Sequence, residues 1–197
     1  FYKLIKKRST REPIAYITNK KSFWNSEFFV TRDTLIPRPD TELIIEKVLK
    51  LTKNKDGLRI LDIGIGSGCI LLSILKEKKN FYGTGIDISK KCLKISKINA
   101  INLKVDQRLK LLKTDVDKFI SSKYDLIVSN PPYIVKSKLK YLDRDVVKYE
   151  PNVALNGGLD GLSEIRKVIK KSSELIKKKG KFILEIGFDQ KNDVINL

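Results

Sequence analysis

The sequence predicts an α/β fold, a mainly parallel sheet with helices on both faces, preceded by a small β-hairpin. Three observations carry that reading. Five short apolar runs, LRILDI at 58–63, GTGID at 83–87, LKLLK at 109–113, YDLIVSN at 124–130 and GKFILEIG at 180–187, have the length and apolarity of buried strands. Segments of helical potential near 69–79, 89–100 and 160–178 fall between them, and such alternation implies right-handed crossovers and parallel pairing. A turn rich in glycine joins the first run to the first of those helices.

In chain order, FYKLIKKRST is basic and is followed by no apolar stretch of the kind a signal peptide needs. PIAYIT at 13–18 and SEFFVT at 26–31 flank the polar NKKSFWN and predict two paired strands. Residues 1–36 are therefore expected to form a hairpin module and residues 37–197 the main domain. Asp40 is placed to cap a helix whose apolar positions Leu43, Ile44, Val48 and Leu51 recur at helical spacing. The stretch from Ile134 to Gly161 shows no element and is longer than a passive connector, which suggests binding or gating.

Composition narrows the chemistry. A chain of 197 residues, 41% hydrophobic and 32% charged, can bury a single core. None of its apolar runs approaches the roughly 20 residues of a membrane helix, and a cytoplasmic location is expected. Histidine is absent, which removes the usual general base and any Ser-His or Cys-His pair. Without histidine, the separated Cys69 and Cys92 do not make a zinc site. A net charge of +18 favours contact with nucleic acid or a ribosomal surface through phosphates, although a solvated lysine surface gives the same number. Methionine is missing even at position 1, so the chain is expected to be a piece of something longer.

ILDIGIGSGCILLSIL reads as strand, tight turn and helix, with Gly64, Gly66 and Gly68 around Ile65 and Ser67. Glycines here allow positive φ and a close approach of backbone to a ligand. Asp87 ends the next strand, where a carboxylate can accept hydrogen bonds from both ribose hydroxyls. The G-x-G-x-G spacing differs from the G-x-G-x-x-G of dinucleotide oxidoreductases. Asp62, on the strand itself, can hold an ammonium group directly or through water. S-adenosylmethionine carries an ammonium and a ribose and has no phosphate.

SNPPYI follows the run YDLIV. Pro131 and Pro132 have fixed φ and donate no N–H, so the loop becomes a rigid set of acceptors. Asn130 Oδ1 and the Pro131 carbonyl can each accept one hydrogen from a planar amide or aromatic amine, while the Tyr133 ring packs on its flat face. Nitrogen so held can attack a sulfonium methyl without prior deprotonation, breaking the carbon–sulfur bond and losing its proton afterward, and imidazole is not needed.

LDIGIGSG, Asp87 and NPPY together resemble the class I S-adenosylmethionine-dependent methyltransferases, Rossmann-like enzymes that modify planar nitrogens. NPPY is shared with exocyclic-amine methyltransferases of RNA and DNA. REPIAYI at 11–17, IPRPDTE at 36–42 and YEPNVALNGGLDGL at 149–162 resemble the protein-glutamine methyltransferases of peptide-chain release factors, the PrmC/HemK family. That resemblance implies cofactor contacts at Gly64 to Gly68 and Asp87, with Asp115 and Val116 near the adenine, where the family often has an aromatic in place of Val116. It implies that Asn130, Pro131, Pro132 and Tyr133 hold the glutamine of a Gly-Gly-Gln loop. The family also has an N-terminal helical bundle and two final strands; this chain is expected to begin at the hairpin and to lack those strands. An RNA or DNA amine methyltransferase and a non-catalytic binding module for cofactor or nucleic acid are the alternatives.

Overall fold

The computed structural model describes residues 1–197. Helix α1 (Tyr2–Ser9) buries none of its side chains, and α2 (Ile14–Thr18) follows it. The second corrects the expected strand at PIAYIT. Pro13 precedes the first turn, and Tyr16 reaches the core, where its hydroxyl donates to the Thr34 carbonyl at 2.7 Å. Asn19 ends the turn at φ 56° and redirects the chain into β1 (Lys20–Phe23). That strand pairs antiparallel with β2 (Ser26–Phe29), so the hairpin exists, built from KKSF and SEFF.

The chain then makes a 3-10 turn at Pro39–Thr41 and enters α3 (Glu42–Leu51). Asp40 lies within that turn and makes no capping bond. Ile44, Ile45 and Val48 are the buried stripe of α3, whereas Leu43 points outward.

Next come β3 (Arg59–Ile63), α4 (Cys69–Glu77), β4 (Tyr82–Asp87), α5 (Lys90–Asn102), β5 (Leu109–Lys113) and β6 (Tyr124–Ser129). The stretch 134–161 is not featureless. It holds a 3-10 turn at Lys136–Tyr141, the short α6 (Arg144–Tyr149) and another turn at Asn152–Ala154. Then follow α7 (Ser163–Leu175), β7 (Ile176–Leu184) and α8 (Lys191–Ile195).

The large sheet has the order β5-β4-β3-β6-β7 and every neighbouring pair is parallel. Strand order reverses at β3, between β4 and β6, and such a switch opens a crevice at the carboxyl ends of the strands. Apolar residues cover both faces. One core joins Ile60, Leu126 and Val128 to Ile45 and Val48 of α3, to Leu71, Leu72 and Leu75 of α4, and to Phe23 and Phe28 of the hairpin. The hairpin and the sheet thus share one interior. The other core joins Leu61, Ile63 and Ile127 to Val168 and Leu175 of α7. At about 25 cal/mol per Å² of apolar surface, each fully buried leucine or isoleucine here contributes about 2 kcal/mol. No helix is long and apolar enough to cross a membrane.

Candidate active site

Two loops leave the sheet at the switch point, one after β3 and one after β6. Ile63 pairs with Ser129 in register, and the Ser129 hydroxyl donates to the Ile63 carbonyl at 2.7 Å. The strand ends are therefore fastened where the loops begin.

In the first loop Gly64, Gly66 and Gly68 have φ of 79°, 55° and 85°, values that side chains with a Cβ rarely adopt. Gly64 and Ile65 both donate N–H to the Ile86 carbonyl, at 2.9 and 3.0 Å. The Ser96 hydroxyl donates to the Gly66 carbonyl at 2.7 Å, and Asn99 Nδ2 donates to the Ser67 carbonyl at 2.9 Å. A Cβ on Gly68 would lie 2.7 Å from Leu72 Cδ1, so this glycine also lets α4 start close to the turn. Asp87 accepts N–H from Gly66 and from Ser89. Burial pushes its carboxyl above the usual carboxylate range, against the pull of those bonds.

The second loop is fixed from behind. Ile134 donates N–H to the Leu155 carbonyl at 3.1 Å, and Gly157 donates to the Ile134 carbonyl at 2.8 Å. Gln190 is buried, and its Nε2 donates to the Tyr133 carbonyl at 3.1 Å and the Gly161 carbonyl at 3.2 Å while its Oε1 accepts the Gly187 N–H at 2.8 Å. The residues around NGGLDGL therefore form a brace for NPPY.

Both loops line one cavity of about 550 Å³. Gly64, Ile65, Gly66, Ser67 and Asp87 line it, and so do Asp115, Val116, Asn130, Pro131 and Pro132. Pro37, Arg38 and Thr41 come from the segment before α3, and Pro151, Val153 and Asn156 from the stretch after α6. These two segments are tied together. Arg38 Nη2 meets Glu150 Oε1 at 2.5 Å, and Glu150 Oε2 accepts the Ile36 N–H at 3.2 Å.

Three of the residues singled out in the sequence stand off the lining. Gly68 sits beneath α4, and Tyr133 is half-buried beside Glu185. Asp62 is 1% exposed on the Ile60 face of β3, and neither carboxylate oxygen has a hydrogen-bond partner. Burial pushes its carboxyl up to about 7; the Leu71 N–H draws it down without closing a hydrogen bond, and the Asp87 charge pushes it further up.

Thr41, Arg38, Glu150, Gln190 and Glu185 were not read from the sequence as site residues. Glu185 carried the signal that found Asp87, a carboxylate at the carboxyl end of an apolar run. Gln190 and Glu150 carried none, since their importance lies in long-range pairing.

The methyltransferase small domain model matches residues 39–159. The release factor glutamine methyltransferase of Caulobacter vibrioides is 39% identical over 191 residues, covering 96% of this chain and 66% of its own length. That of Clostridium acetobutylicum is 39% identical over 200 residues, covering 100% of this chain and 70% of its own. A bifunctional methyltransferase of Rickettsia typhi is 38% identical, and this chain spans 42% of its length. The chain thus spans about two thirds of the first relative and about two fifths of the bifunctional one. Among solved structures, TrmN from Thermus thermophilus superposes with a TM-score of 0.58 at 18% identity, covering 79% of this chain and 40% of that one. The ribosomal protein L11 methylase from Lactobacillus delbrueckii subsp. bulgaricus gives 0.57 at 19%, covering 81% and 67%. Both share the fold.

Proposed function

The chain belongs to the release factor glutamine methyltransferase family, and from that premise we propose that it transfers a methyl group from S-adenosylmethionine to a glutamine side-chain amide nitrogen in the Gly-Gly-Gln loop of a peptide-chain release factor. One observation carries the reading: the turn at Gly64–Gly66 and the loop at Asn130–Pro132 are walls of a single cavity. A donor bound at the first is within reach of a nitrogen held at the second.

The residues present fit the cofactor. Asp62 is a buried carboxylate with two unpartnered oxygens just before the glycine turn; it stands off the lining, so it would favour the amino group of S-adenosylmethionine through its charge and not by direct contact. Asp87 already accepts two backbone N–H bonds and keeps lone pairs for ribose hydroxyls. The cradle at Gly64 and Gly66 leaves room for close approach, and Asp115 and Val116 would flank the base. When bound, S-adenosylmethionine supplies a sulfonium-activated methyl carbon.

The chain's own part is to bind and aim the acceptor. Asn130 Oδ1 and the Pro131 carbonyl take one amide hydrogen each, while Tyr133, off the lining beside Glu185, supports the loop from behind. An amide nitrogen is a weak nucleophile because its lone pair is delocalised. Holding both hydrogens on fixed acceptors aims the nitrogen at one point, and that positioning is the catalytic effect. The charge of +18 supports a place of work beside nucleic acid or the ribosome, in the cytoplasm.

Incubation with methyl-labelled S-adenosylmethionine and a bacterial-type release factor tests the reading. Label is expected on the release factor and lost when the acceptor glutamine is replaced by alanine. Label that persists on the replaced protein, or that enters RNA and survives protease, overturns it.

A further inference from the structure

A carboxamide has an acceptor end and a donor end, and only the acceptor can serve a substrate nitrogen that itself donates. What turns Asn130 the right way is therefore a structural question. Thr41 does not answer it alone. Its hydroxyl receives the Asn130 Nδ2–H at 3.2 Å, yet a hydroxyl donates as readily as it accepts and would serve either end of the amide.

Beyond Thr41 stands Glu185. Leu184 pairs with Ser129, and Glu185 donates its N–H to the Ser129 carbonyl at 3.0 Å. Glu185 follows Leu184 as Asn130 follows Ser129, side by side at the carboxyl ends of two parallel strands. Glu185 Oε2 is buried and has no hydrogen-bond partner. Burial raises its carboxyl above the usual range, and the polar groups of Thr41, Asn130 and Tyr133 nearby pull the other way without closing a hydrogen bond to Oε2. A carboxylate only accepts. Whatever turns to it must present hydrogen.

We propose that Glu185 is a positioning residue: as an acceptor-only group it draws the Thr41 hydroxyl proton and the Asn130 Nδ2 toward itself, and so turns Asn130 Oδ1 to the cavity. Thr41 is committed by Glu185 to donating on one side and accepting from Asn130 on the other. Tyr133, three residues after Asn130, is half-buried beside the same carboxylate. What Oδ1 meets rests on the methyl-acceptor reading above; the orientation itself does not.

The test pairs Glu185→Gln with Asn130→Ala. A neutral amide at 185 can donate to Asn130 Oδ1, which permits the wrong orientation. In the otherwise intact protein, Glu185→Gln is expected to lower kcat for release-factor methylation about tenfold or more, the loss of a charge-assisted bond. KM for the release factor and Kd for S-adenosylmethionine should stay within about threefold, since Glu185 does not line the cavity. In the Asn130→Ala background the same change should cost nothing further, because its route to the substrate is gone. Independently of turnover, the Asn130 side-chain amide resonances, identified by their loss in Asn130→Ala, should shift in Glu185→Gln without any substrate present. Equal losses in both backgrounds, wild-type turnover in Glu185→Gln, or unmoved amide resonances overturn the proposal. Shifted resonances in a protein that labels no release factor would refute the functional reading and leave the orientation standing.

Discussion

Asp87 holds Gly66: one carboxylate oxygen accepts the Gly66 N–H at 3.0 Å while the other accepts the Ser89 N–H at 2.8 Å. A single side chain thus fixes the glycine turn after β3 to the start of α5, across the mouth of the crevice. Replacing it changes the shape of the proposed cofactor seat as well as its hydrogen bonding. Asp87→Ala is expected to weaken S-adenosylmethionine binding by about 1.5–3 kcal/mol, roughly 10- to 100-fold in Kd by calorimetry. An unchanged Kd would place the ribose elsewhere.

Asn130 presents the acceptor proposed for the substrate amide. Asn130→Ala should lower kcat/KM for release-factor methylation by about 1–3 kcal/mol of transition-state stabilisation. Steady-state kinetics with purified release factor checks this, and full activity in the variant would remove Asn130 from the reaction.

Asp62 predicts a pH effect of definite sign. Its carboxyl rises from 3.8 to about 7 in the folded protein because it is buried. Between those values the folded chain keeps a proton that the unfolded chain has released, so stability falls as pH rises from about 4 and levels off above about 7. The full span is on the order of 4 kcal/mol. Urea unfolding of the cofactor-free protein across this range should show that decline, and Asp62→Asn should reduce its slope, leaving the part that Asp87 and Glu185 add with the same sign. An equal slope in the variant would assign the effect to another group.

Gly157 lies where backbone meets backbone. A Cβ there would sit 2.7 Å from the Gly161 carbonyl oxygen and 2.8 Å from Tyr133 Cα, with no flexible side-chain end to yield. Gly157→Ala is expected to lower stability by about 1–3 kcal/mol. Methyl transfer should fall with little change in cofactor affinity, because the strain falls behind Tyr133. Thermal unfolding and calorimetry separate the two effects; cofactor affinity that collapses with turnover would contradict the separation.

The parallel sheet was legible because its strands are short apolar runs and its helices bury periodic stripes, such as Ile44, Ile45 and Val48 on α3. Short elements hid better. PIAYIT looks alternating, yet five residues after Pro13 form a turn of helix, too brief for a helical period to stand out against a period of two. KKSF pairs through its backbone with little apolar signal, and α6 is only 6 residues long. At the site, the glycine turn and NPPY announce themselves by residue type. Glu150 and Gln190 do not, because their partners Arg38 and Tyr133 are reached only after the chain has folded. Asp62 is visible as an acid on a strand, and the alternation that puts it on the Ile60 face buries it beneath α4.

The Arg38–Glu150 ion pair has a consequence for synthesis. It closes a span of 112 residues, and the chain between its ends carries both ligand loops. A polypeptide still emerging from the ribosome lacks the cavity lining at Pro151, Val153 and Asn156 until that segment has left the exit tunnel and Glu150 has found Arg38. Capture of S-adenosylmethionine by stalled nascent chains of increasing length should therefore switch on late and abruptly, well after the glycine turn is available.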